Sequence, residues 1–210
     1  MLNPAEEKYS RQVLFAGIGS EGQRRLGAAR AVVVGCGALG SFSANALVRA
    51  GVGRLTVVDR DYVEVSNLQR QMLFDEDDAA QSLPKAVAAE RHLQRINSDV
   101  AVEGCLADVT PDNVEEILAG AGVVLDGTDN FETRYLLNDA CVKLAIPWVY
   151  AAAVGSYGAT MPVLPGRTAC LACLFPEPPA APGETCDTVG ILNSAAAAIA
   201  ALQVADALKI

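Results

Sequence analysis

The sequence of 210 residues contains one histidine, few basic residues and no long hydrophobic run. Its 16 lysines and arginines are outnumbered by 25 aspartates and glutamates, and the net charge of −9 argues against nucleic-acid binding through phosphate contacts. No apolar run approaches the roughly 18 residues of a membrane-spanning helix, so no membrane association is predicted. The first residues, Met1 to Lys8, lack the apolar centre of a signal peptide, and we expect a cytoplasmic protein.

The composition does allow a sizeable core, because 51% of the residues are hydrophobic and 20% are charged. Short β-branched runs alternate with helical patterns, which predicts an α/β fold with a Rossmann-like, largely parallel sheet and helices on both faces. We expect a single domain over residues 1–210. Residues 165–187 hold five of the ten prolines and three of the six cysteines, which predicts a long crossover loop. Predicted strands cover 31–34, 55–58, 100–103, 123–125 and 147–151, and predicted helices cover 5–29, 39–50, 84–96, 111–119, 131–144 and 195–210.

A glycine-rich turn follows the first predicted strand and opens a helix, with the sequence Gly35-Cys36-Gly37-Ala38-Leu39-Gly40. Glycines allow a tight turn and close approach of a ligand, and a helix N-terminus offers free N–H groups to phosphate. Asp59 stands 19 residues after Gly40, at the end of the next predicted strand, where an acid accepts hydrogen bonds from a ribose. This context predicts nucleotide binding rather than a glycine turn used only for packing.

The residues after Asp59 favour a triphosphate over a dinucleotide. In such a sheet, ligands bind beyond the carboxyl ends of the strands, so we expect Asp59 and Asp129 to converge on one crevice. Arg70 and Lys85 would neutralise phosphate charge and Asp129 would hold Mg²⁺. Each cation taken singly is equally compatible with an ordinary surface charge. The polar residues in question are Asn67, Arg70, Lys85, Asp129 and Asn130.

These motifs, in this order, resemble the ThiF/MoeB/HesA family, the prokaryotic relatives of ubiquitin-activating enzymes. The resemblance covers nearly the whole chain, and the ordered set is far more specific than any one member. The matching segments are Tyr9-Ser10-Arg11-Gln12, Gly35 to Gly40, Asp59-Arg60-Asp61, Asn67 to Gln71, Lys85-Ala86, Asp126 to Asn130, Cys170 to Pro176 and Cys186.

The resemblance implies an ATP-dependent adenylyltransferase. Such an enzyme activates the C-terminal Gly-Gly carboxylate of a ubiquitin-like sulfur carrier protein to an acyl-adenylate, in thiamine or molybdopterin synthesis. It implies that Asp59 holds the ribose and that Asp129 holds Mg²⁺, while the glycine loop, Asn67, Arg70, Lys85 and Asn130 complete the ATP site. It further implies a homodimer in which Arg11 reaches the partner subunit's site, and a cysteine desulfurase or rhodanese as sulfur donor.

The cysteines of the predicted loop carry two further expectations. Cys170 and Cys173 form a CxxC, which is half of a tetrahedral zinc site. Relatives carry a second CxxC after the last helix, and these 210 residues do not, so zinc binding stays open. The resemblance implies that Cys186 bonds to the carrier or receives sulfur; a loop cysteine without an essential role is the alternative.

Three other functions fit parts of the sequence. The first is adenylation of a different substrate, such as a peptide C-terminus or a tRNA-linked adenosine. The second is a nucleotide-binding partner subunit without catalysis, for which Arg11, Arg70, Lys85 and Asp129 would be unnecessary. The third is an NAD-dependent dehydrogenase, which leaves Arg70, Lys85 and the CxxC unexplained.

Overall fold

Six strands form one twisted sheet in the computed structural model, which describes residues 7–177 and 186–210. The spatial order is β3-β2-β1-β4-β5-β6. The first five are parallel neighbours, and β6 runs antiparallel to β5. The prediction of a largely parallel sheet is therefore confirmed. The strands are β1 (Arg30–Val34), β2 (Arg54–Asp59), β3 (Ala101–Leu106), β4 (Val123–Asp126), β5 (Trp148–Val154) and β6 (Tyr157–Val163).

The helices cover both faces of this sheet, as expected. They are α1 (Ser10–Val13), α2 (Gly19–Ala28), α3 (Ala38–Ala50), α4 (Glu76–Ala80), α5 (Lys85–Ile96), α6 (Val114–Leu118), α7 (Phe131–Lys143), α8 (Leu171–Leu174), α9 (Cys186–Val189) and α10 (Asn193–Ala207). A 3₁₀ turn covers Val65–Asn67. Among the described residues, no helix is both long enough and apolar enough to cross a bilayer.

The central strand β1 shows why the sheet is covered on both sides. Val32 and Val33 are fully buried and point to opposite faces, as alternate residues of a strand must. Val33 packs in one core with residues of α3, α5 and α10. Val32 packs in a second core with residues of α6 and α7. A continuous β-branched run, rather than an alternating one, is the pattern of such a doubly covered parallel strand.

The last helix, α10, is fixed to the sheet by a buried polar side chain. Gln203 is fully buried, and its Nε2 donates hydrogen bonds of 2.8 Å to the carbonyl oxygens of Asp126 and Val149. Its Oε1 accepts a 2.9 Å hydrogen bond from the hydroxyl of Ser43 on α3. One side chain therefore joins α10, α3, β4 and β5 directly beneath the loop that follows β4.

Several local predictions were wrong. The helix expected to begin at Pro111 with a Thr110 cap begins at Val114 instead. Residues 111–113 form a turn instead, in which Asn113 Oδ1 accepts a hydrogen bond from the Thr110 N–H. The helical stretch expected over 5–29, with a pattern interrupted at Gly17, Gly19 and Gly22, is divided into α1 and α2, and α2 begins at Gly19 with a φ of +60°. The prediction of a long loop over 165–187 stays a prediction, because residues 178–185 lie outside the described residues; its described part contains the single turn α8 and the start of α9.

Candidate nucleotide site

A cleft of about 1240 Å³ lies beyond the carboxyl ends of β1, β2 and β4. Asp59 and Asp129 both line it, as the topology of the sheet led us to expect. Gly40 does not line it, because it is buried beneath the glycine loop. The nucleotide-site residues expected from the sequence that do line the cleft are Gly35, Gly37, Ala38, Asp59, Asn67, Arg70, Lys85, Asp129 and Asn130.

Glycines let two loops meet backbone to backbone at the floor of the cleft. A Cβ on Gly35, which has a φ of +86°, would lie 2.6 Å from the carbonyl of Gly127. A Cβ on Gly127 would in turn lie 2.3 Å from the carbonyl oxygen of Gly35. The Gly127 N–H also donates a 2.7 Å hydrogen bond to the carbonyl of Val34. The loop that carries Asp129 is thereby held against the loop that opens α3.

The N-terminus of α3 faces this floor. Gly37 is its N-cap residue and supplies no side-chain cap, so the first N–H groups of the helix have no side-chain acceptor. Such a terminus, with its partial positive charge, is suited to a phosphate group. The arrangement agrees with the role that the sequence predicts for residues 35–40.

Asp59 is held at the end of β2 by two backbone groups. Its Oδ2 accepts a 2.6 Å hydrogen bond from the Cys36 N–H, and its Oδ1 accepts a 2.7 Å hydrogen bond from the Asp61 N–H. Burial raises the pKa of the Asp59 carboxyl, although these two hydrogen bonds and the charge of Lys85 oppose the shift. Each oxygen keeps a lone pair, so the carboxylate is a fixed acceptor for a hydroxyl group.

Two cations, Arg70 and Lys85, also line the cleft. The Lys85 side chain is only 9% exposed, and its Nζ lies 3.1 Å from Asp61 Oδ2. Arg70 Nη1 donates a 2.9 Å hydrogen bond to the carbonyl of Ser66, which holds the guanidinium beside the 3₁₀ turn. Asn67 is buried, and its Oδ1 accepts a 3.2 Å hydrogen bond from the Glu64 N–H. These contacts hold Lys85 and Arg70 in the cleft, where both cations can reach a bound polyphosphate.

Asp129 projects from the loop between β4 and α7 and is exposed in the cleft. The next residue, Asn130, is the N-cap of α7, and its Oδ1 accepts a 2.8 Å hydrogen bond from the Thr133 N–H. Its Nδ2 donates to Asp129 Oδ1 at 3.2 Å. An accessible carboxylate beside a phosphate site fits Mg²⁺, which binds through one or two carboxylates together with substrate phosphates.

Several residues of the cleft have no role that the sequence alone predicts. Thr128 lies behind Asp129 and belongs to the matching segment Asp126 to Asn130, but it was given no role of its own. Arg134 also lies behind Asp129, and its only signal was its distance of four residues from Asn130, about one turn of a helix. The cleft also continues past Tyr150 along β5 and β6, where residues with small side chains line it. These residues are Ala152, Ala153, Gly158 and Ala159.

Three further predicted residues, Arg11, Cys170 and Cys173, do not line this cleft. Arg11 is exposed on α1 and does not line it. The Cys170 and Cys173 sulfurs lie 3.5 Å apart, at the start of α8. Burial tends to raise the pKa of the Cys170 thiol, but hydrogen bonds from Cys173 and Asn138 outweigh it and lower the pKa below its usual value. Cys186 opens α9, and its side chain lies outside the described residues.

Two thiolates alone do not fit a closed zinc site. Among the described side chains, which do not include those of Cys186 and Asp187, no third histidine, cysteine or carboxylate joins the cysteine pair. The one group of three such residues in the described part of the chain is Asp75, Asp78 and His92. There, His92 Nε2 lies 2.7 Å from Asp78 Oδ2, and His92 Nδ1 lies 3.0 Å from Arg95 Nη2. Both ring nitrogens are thus engaged by the protein itself.

The doubly covered parallel sheet, the glycine loop at a helix N-terminus and the fixed acid after β2 define an α/β nucleotide-binding domain. A family model narrows this class, because it matches residues 9–210. The chain belongs to the ThiF family.

Relatives with assigned names agree with this membership. The chain is 56% identical over 203 residues to the sulfur carrier protein ThiS adenylyltransferase of Bacillus subtilis. That match covers 97% of this chain and 60% of the relative, so the chain spans well under two thirds of the length of that protein. It is also 43% identical over 211 residues to the sulfur carrier protein adenylyltransferase of Thermus thermophilus, covering 97% of this chain and 77% of that protein.

Solved structures give the same picture of the fold. The crystal structure of Escherichia coli MccB with MccA-N7isoASN superposes with a TM-score of 0.86 at 26% identity, covering 99% of this chain and 64% of that chain. The structure of MccB with ATP superposes with a TM-score of 0.76 at 25% identity, covering 90% of this chain and 56% of that chain.

Proposed function

We propose that this protein is an adenylyltransferase that uses ATP to activate the C-terminal carboxylate of a ubiquitin-like sulfur carrier protein. The observation that carries the proposal is the composition of the cleft. One cavity contains a free helix N-terminus, a fixed acceptor at Asp59, two cations at Arg70 and Lys85, and the accessible carboxylate of Asp129. The names of the Bacillus subtilis and Thermus thermophilus relatives support the same activity.

The reaction requires the protein mainly to position the two substrates and to stabilise the charge that develops on the phosphates. A carboxylate oxygen of the carrier attacks the α-phosphorus of ATP, a new P–O bond forms, and the bond to the bridging oxygen breaks with release of pyrophosphate. The attacking carboxylate is already ionised at neutral pH, so no general base is needed. Arg70 and Lys85 would neutralise the charge that develops on the phosphates, and Asp59 would hold the ribose. Mg²⁺, held at Asp129, would supply further charge neutralisation.

The far end of the cleft supports an extended, unbranched acceptor. The cleft has little side-chain bulk between Tyr150 and Tyr157, where it is lined by Ala152, Ala153, Gly158 and Ala159. A tail that ends in two glycines has the smallest cross-section that a polypeptide can present. We therefore propose that a Gly-Gly C-terminus enters along β5 and β6 and meets the nucleotide near Asp129.

The proposal extends to the assembly. We propose that residues 1–210 act as one cytoplasmic adenylation domain within a homodimer, in which Arg11 completes the cleft of the partner subunit. Leu14 and Phe15, just after α1, are 74% and 66% exposed, which is consistent with burial in an interface. A cysteine desulfurase or rhodanese would supply sulfur to the activated carrier, with Cys186 as a candidate acceptor. Zinc at Cys170 and Cys173 would need two ligands beyond the described residues.

The direct test is exchange of labelled pyrophosphate into ATP, with Mg²⁺ and with purified carriers that end in Gly-Gly. We expect exchange that depends on the carrier, and the carrier that works distinguishes a thiamine from a molybdopterin pathway. The matched control is the same carrier without its last glycine. Asp129→Ala should abolish exchange while the circular dichroism spectrum stays unchanged. Exchange without a carrier, or at the wild-type rate in Asp129→Ala, would refute the proposal.

A further inference from the structure

Thr128, the residue before Asp129, is held at three of its polar groups. Its backbone N–H and its hydroxyl both donate to Asp126 Oδ1, at 2.8 Å and 2.7 Å. Its carbonyl oxygen accepts a 2.7 Å hydrogen bond from Arg134 Nη2. Thr128 is buried, whereas Asp129 is exposed in the cleft. A single peptide unit therefore separates the fixed, buried residue Thr128 from Asp129, which projects into the cleft.

The donor groups and the acceptor group of Thr128 are held by different partners. Asp126 fixes the N-terminal side of the residue. Arg134 fixes the carbonyl of the peptide unit that links Thr128 to Asp129. A peptide unit is planar, so holding its carbonyl oxygen also fixes the orientation of the Asp129 N–H. The direction in which the Asp129 side chain leaves the loop therefore depends on Arg134.

Arg134 is itself locked in place. Its side chain is 9% exposed, and its guanidinium lies 5.3 Å from the ring centre of Phe131 and 5.5 Å from that of Tyr150. Its Nε is 3.5 Å from Asp126 Oδ2, an ion pair in which neither atom makes a hydrogen bond. A buried ion pair of this quality contributes little to stability, because desolvation of both charges offsets their attraction. The position that the ion pair gives to Arg134, rather than its stability, therefore better explains why this arginine lines the cleft.

We propose that Arg134 is a positioning residue for the adenylation reaction, acting through the Thr128 carbonyl to aim the Asp129 carboxylate at the divalent ion of the bound nucleotide. This inference rests on the proposed function and adds a residue to it. Groups that orient a metal ligand typically change metal affinity or activity by about 10–100-fold when they are removed.

The test compares Arg134→Gln, Arg134→Lys and Thr128→Val with Arg91→Gln, a control on the exposed surface of α5. The first readout needs no turnover: binding of Mn²⁺ to the protein–ATP complex, followed by electron paramagnetic resonance. We expect Arg134→Gln to weaken Mn²⁺ binding by about tenfold or more. Its affinity for ATP without a divalent ion should stay within about twofold, because Arg134 is assigned no contact with nucleotide. Arg134→Lys should recover part of the loss, since an ammonium can still donate to the Thr128 carbonyl.

The second readout is pyrophosphate exchange as a function of Mg²⁺. Arg134→Gln should lower kcat and raise the Mg²⁺ concentration for half-maximal rate, with the KM for ATP nearly unchanged. Equal loss of ATP affinity with and without the ion would mean direct contact with nucleotide and would overturn the inference. So would a fall in melting temperature with unchanged Mn²⁺ binding, which would indicate a structural role only. Wild-type protein that binds Mn²⁺·ATP but shows no exchange would refute the proposed function. The Mn²⁺-binding measurement alone would then decide whether Arg134 positions Asp129. Wild-type protein that binds no Mn²⁺·ATP would overturn both.

Discussion

A Cβ placed on Gly40 would lie 1.8 Å from the carbonyl oxygen of Gly35 and 3.2 Å from a methyl group of Val33. The first turn of α3 therefore presses directly on the loop that precedes it. The Gly35 carbonyl belongs to the backbone, so it cannot rotate away from a side chain at position 40. This contact, rather than contact with ligand, is why the last position of the glycine motif admits no side chain.

Gly40→Ala should consequently destabilise the whole domain. We expect a loss of about 3 kcal/mol or more in the free energy of unfolding, at the upper end of overpacking effects. Gly27→Ala is the matched control, because a Cβ at Gly27 in α2 meets nothing within 4 Å and should be neutral or slightly stabilising. Urea unfolding of both variants measures the difference. Equal stability of Gly40→Ala and wild type would contradict the contact.

The sequence predicts the central strands of the sheet and the glycine motif well, and it predicts the edge strand β6 poorly. The β-branched run of β1 and the glycine motif after it carry strong local signals, because burial on both faces and a tight turn each demand particular residue types. Strand β6 was not predicted, since Gly158, Ala159 and Pro162 have low strand propensity. Its formation depends on pairing with β5 from Trp148↔Val163 to Val154↔Tyr157, which is a tertiary effect.

The candidate site divides in the same way. Asp59 and Asp129 could be predicted because each follows a strand whose carboxyl end faces the crevice. Arg134 could not, because its role depends on the loop carbonyl that it reaches and on the rings of Phe131 and Tyr150 around it. Thr110 failed as a helix cap for a related reason. The side chain of Asn113 accepts a hydrogen bond from the Thr110 N–H, residues 111–113 form a turn before α6, and no propensity scale records that contact.

Arg11 provides a test of action across a subunit interface. Arg11→Ala and Asp129→Ala should each lack pyrophosphate exchange, but mixed dimers of the two should contain one complete site. Random mixing would restore roughly a quarter of the wild-type rate, since half the dimers are mixed and one of their two sites is intact. The control mixes Arg70→Ala with Asp129→Ala, whose lesions lie in one cleft, so that no complete site forms. Equal recovery in both mixtures, or in neither, would refute the role of Arg11.

The cysteines should differ sharply in reactivity towards iodoacetamide at pH 8. Hydrogen bonds lower the pKa of Cys170, and Cys173 is exposed, so we expect both to be alkylated first. Burial raises the pKa of Cys141 to about 12 and raises that of Cys36 as well, so both should react only after unfolding. Peptide mass spectrometry separates the sites. Protection of Cys170 and Cys173 that a chelator removes would show that metal binds there, and early alkylation of Cys36 would contradict its burial.

Gln203 should be among the most sensitive positions outside the cleft. Gln203→Leu keeps a side chain of similar size but removes the hydrogen bonds to the carbonyls of Asp126 and Val149 and to the hydroxyl of Ser43. We expect a loss of about 3 kcal/mol, because buried polar groups left without partners carry their full desolvation cost. Ser43→Ala, which removes a single bond, should cost about 1 kcal/mol.

The fluorescence of Trp148, which is the sole tryptophan and is fully buried on β5 beside Val149, reports the unfolding transition in urea. Gln94→Leu on the exposed face of α5 is the control and should change stability by less than about 0.5 kcal/mol. Because Gln203 also lies directly beneath the loop that begins at Asp126, Gln203→Leu should loosen that loop and weaken ATP binding below the unfolding midpoint. If Gln203→Leu matched Gln94→Leu in stability, the buried hydrogen bonds would not be what holds α10 on the sheet.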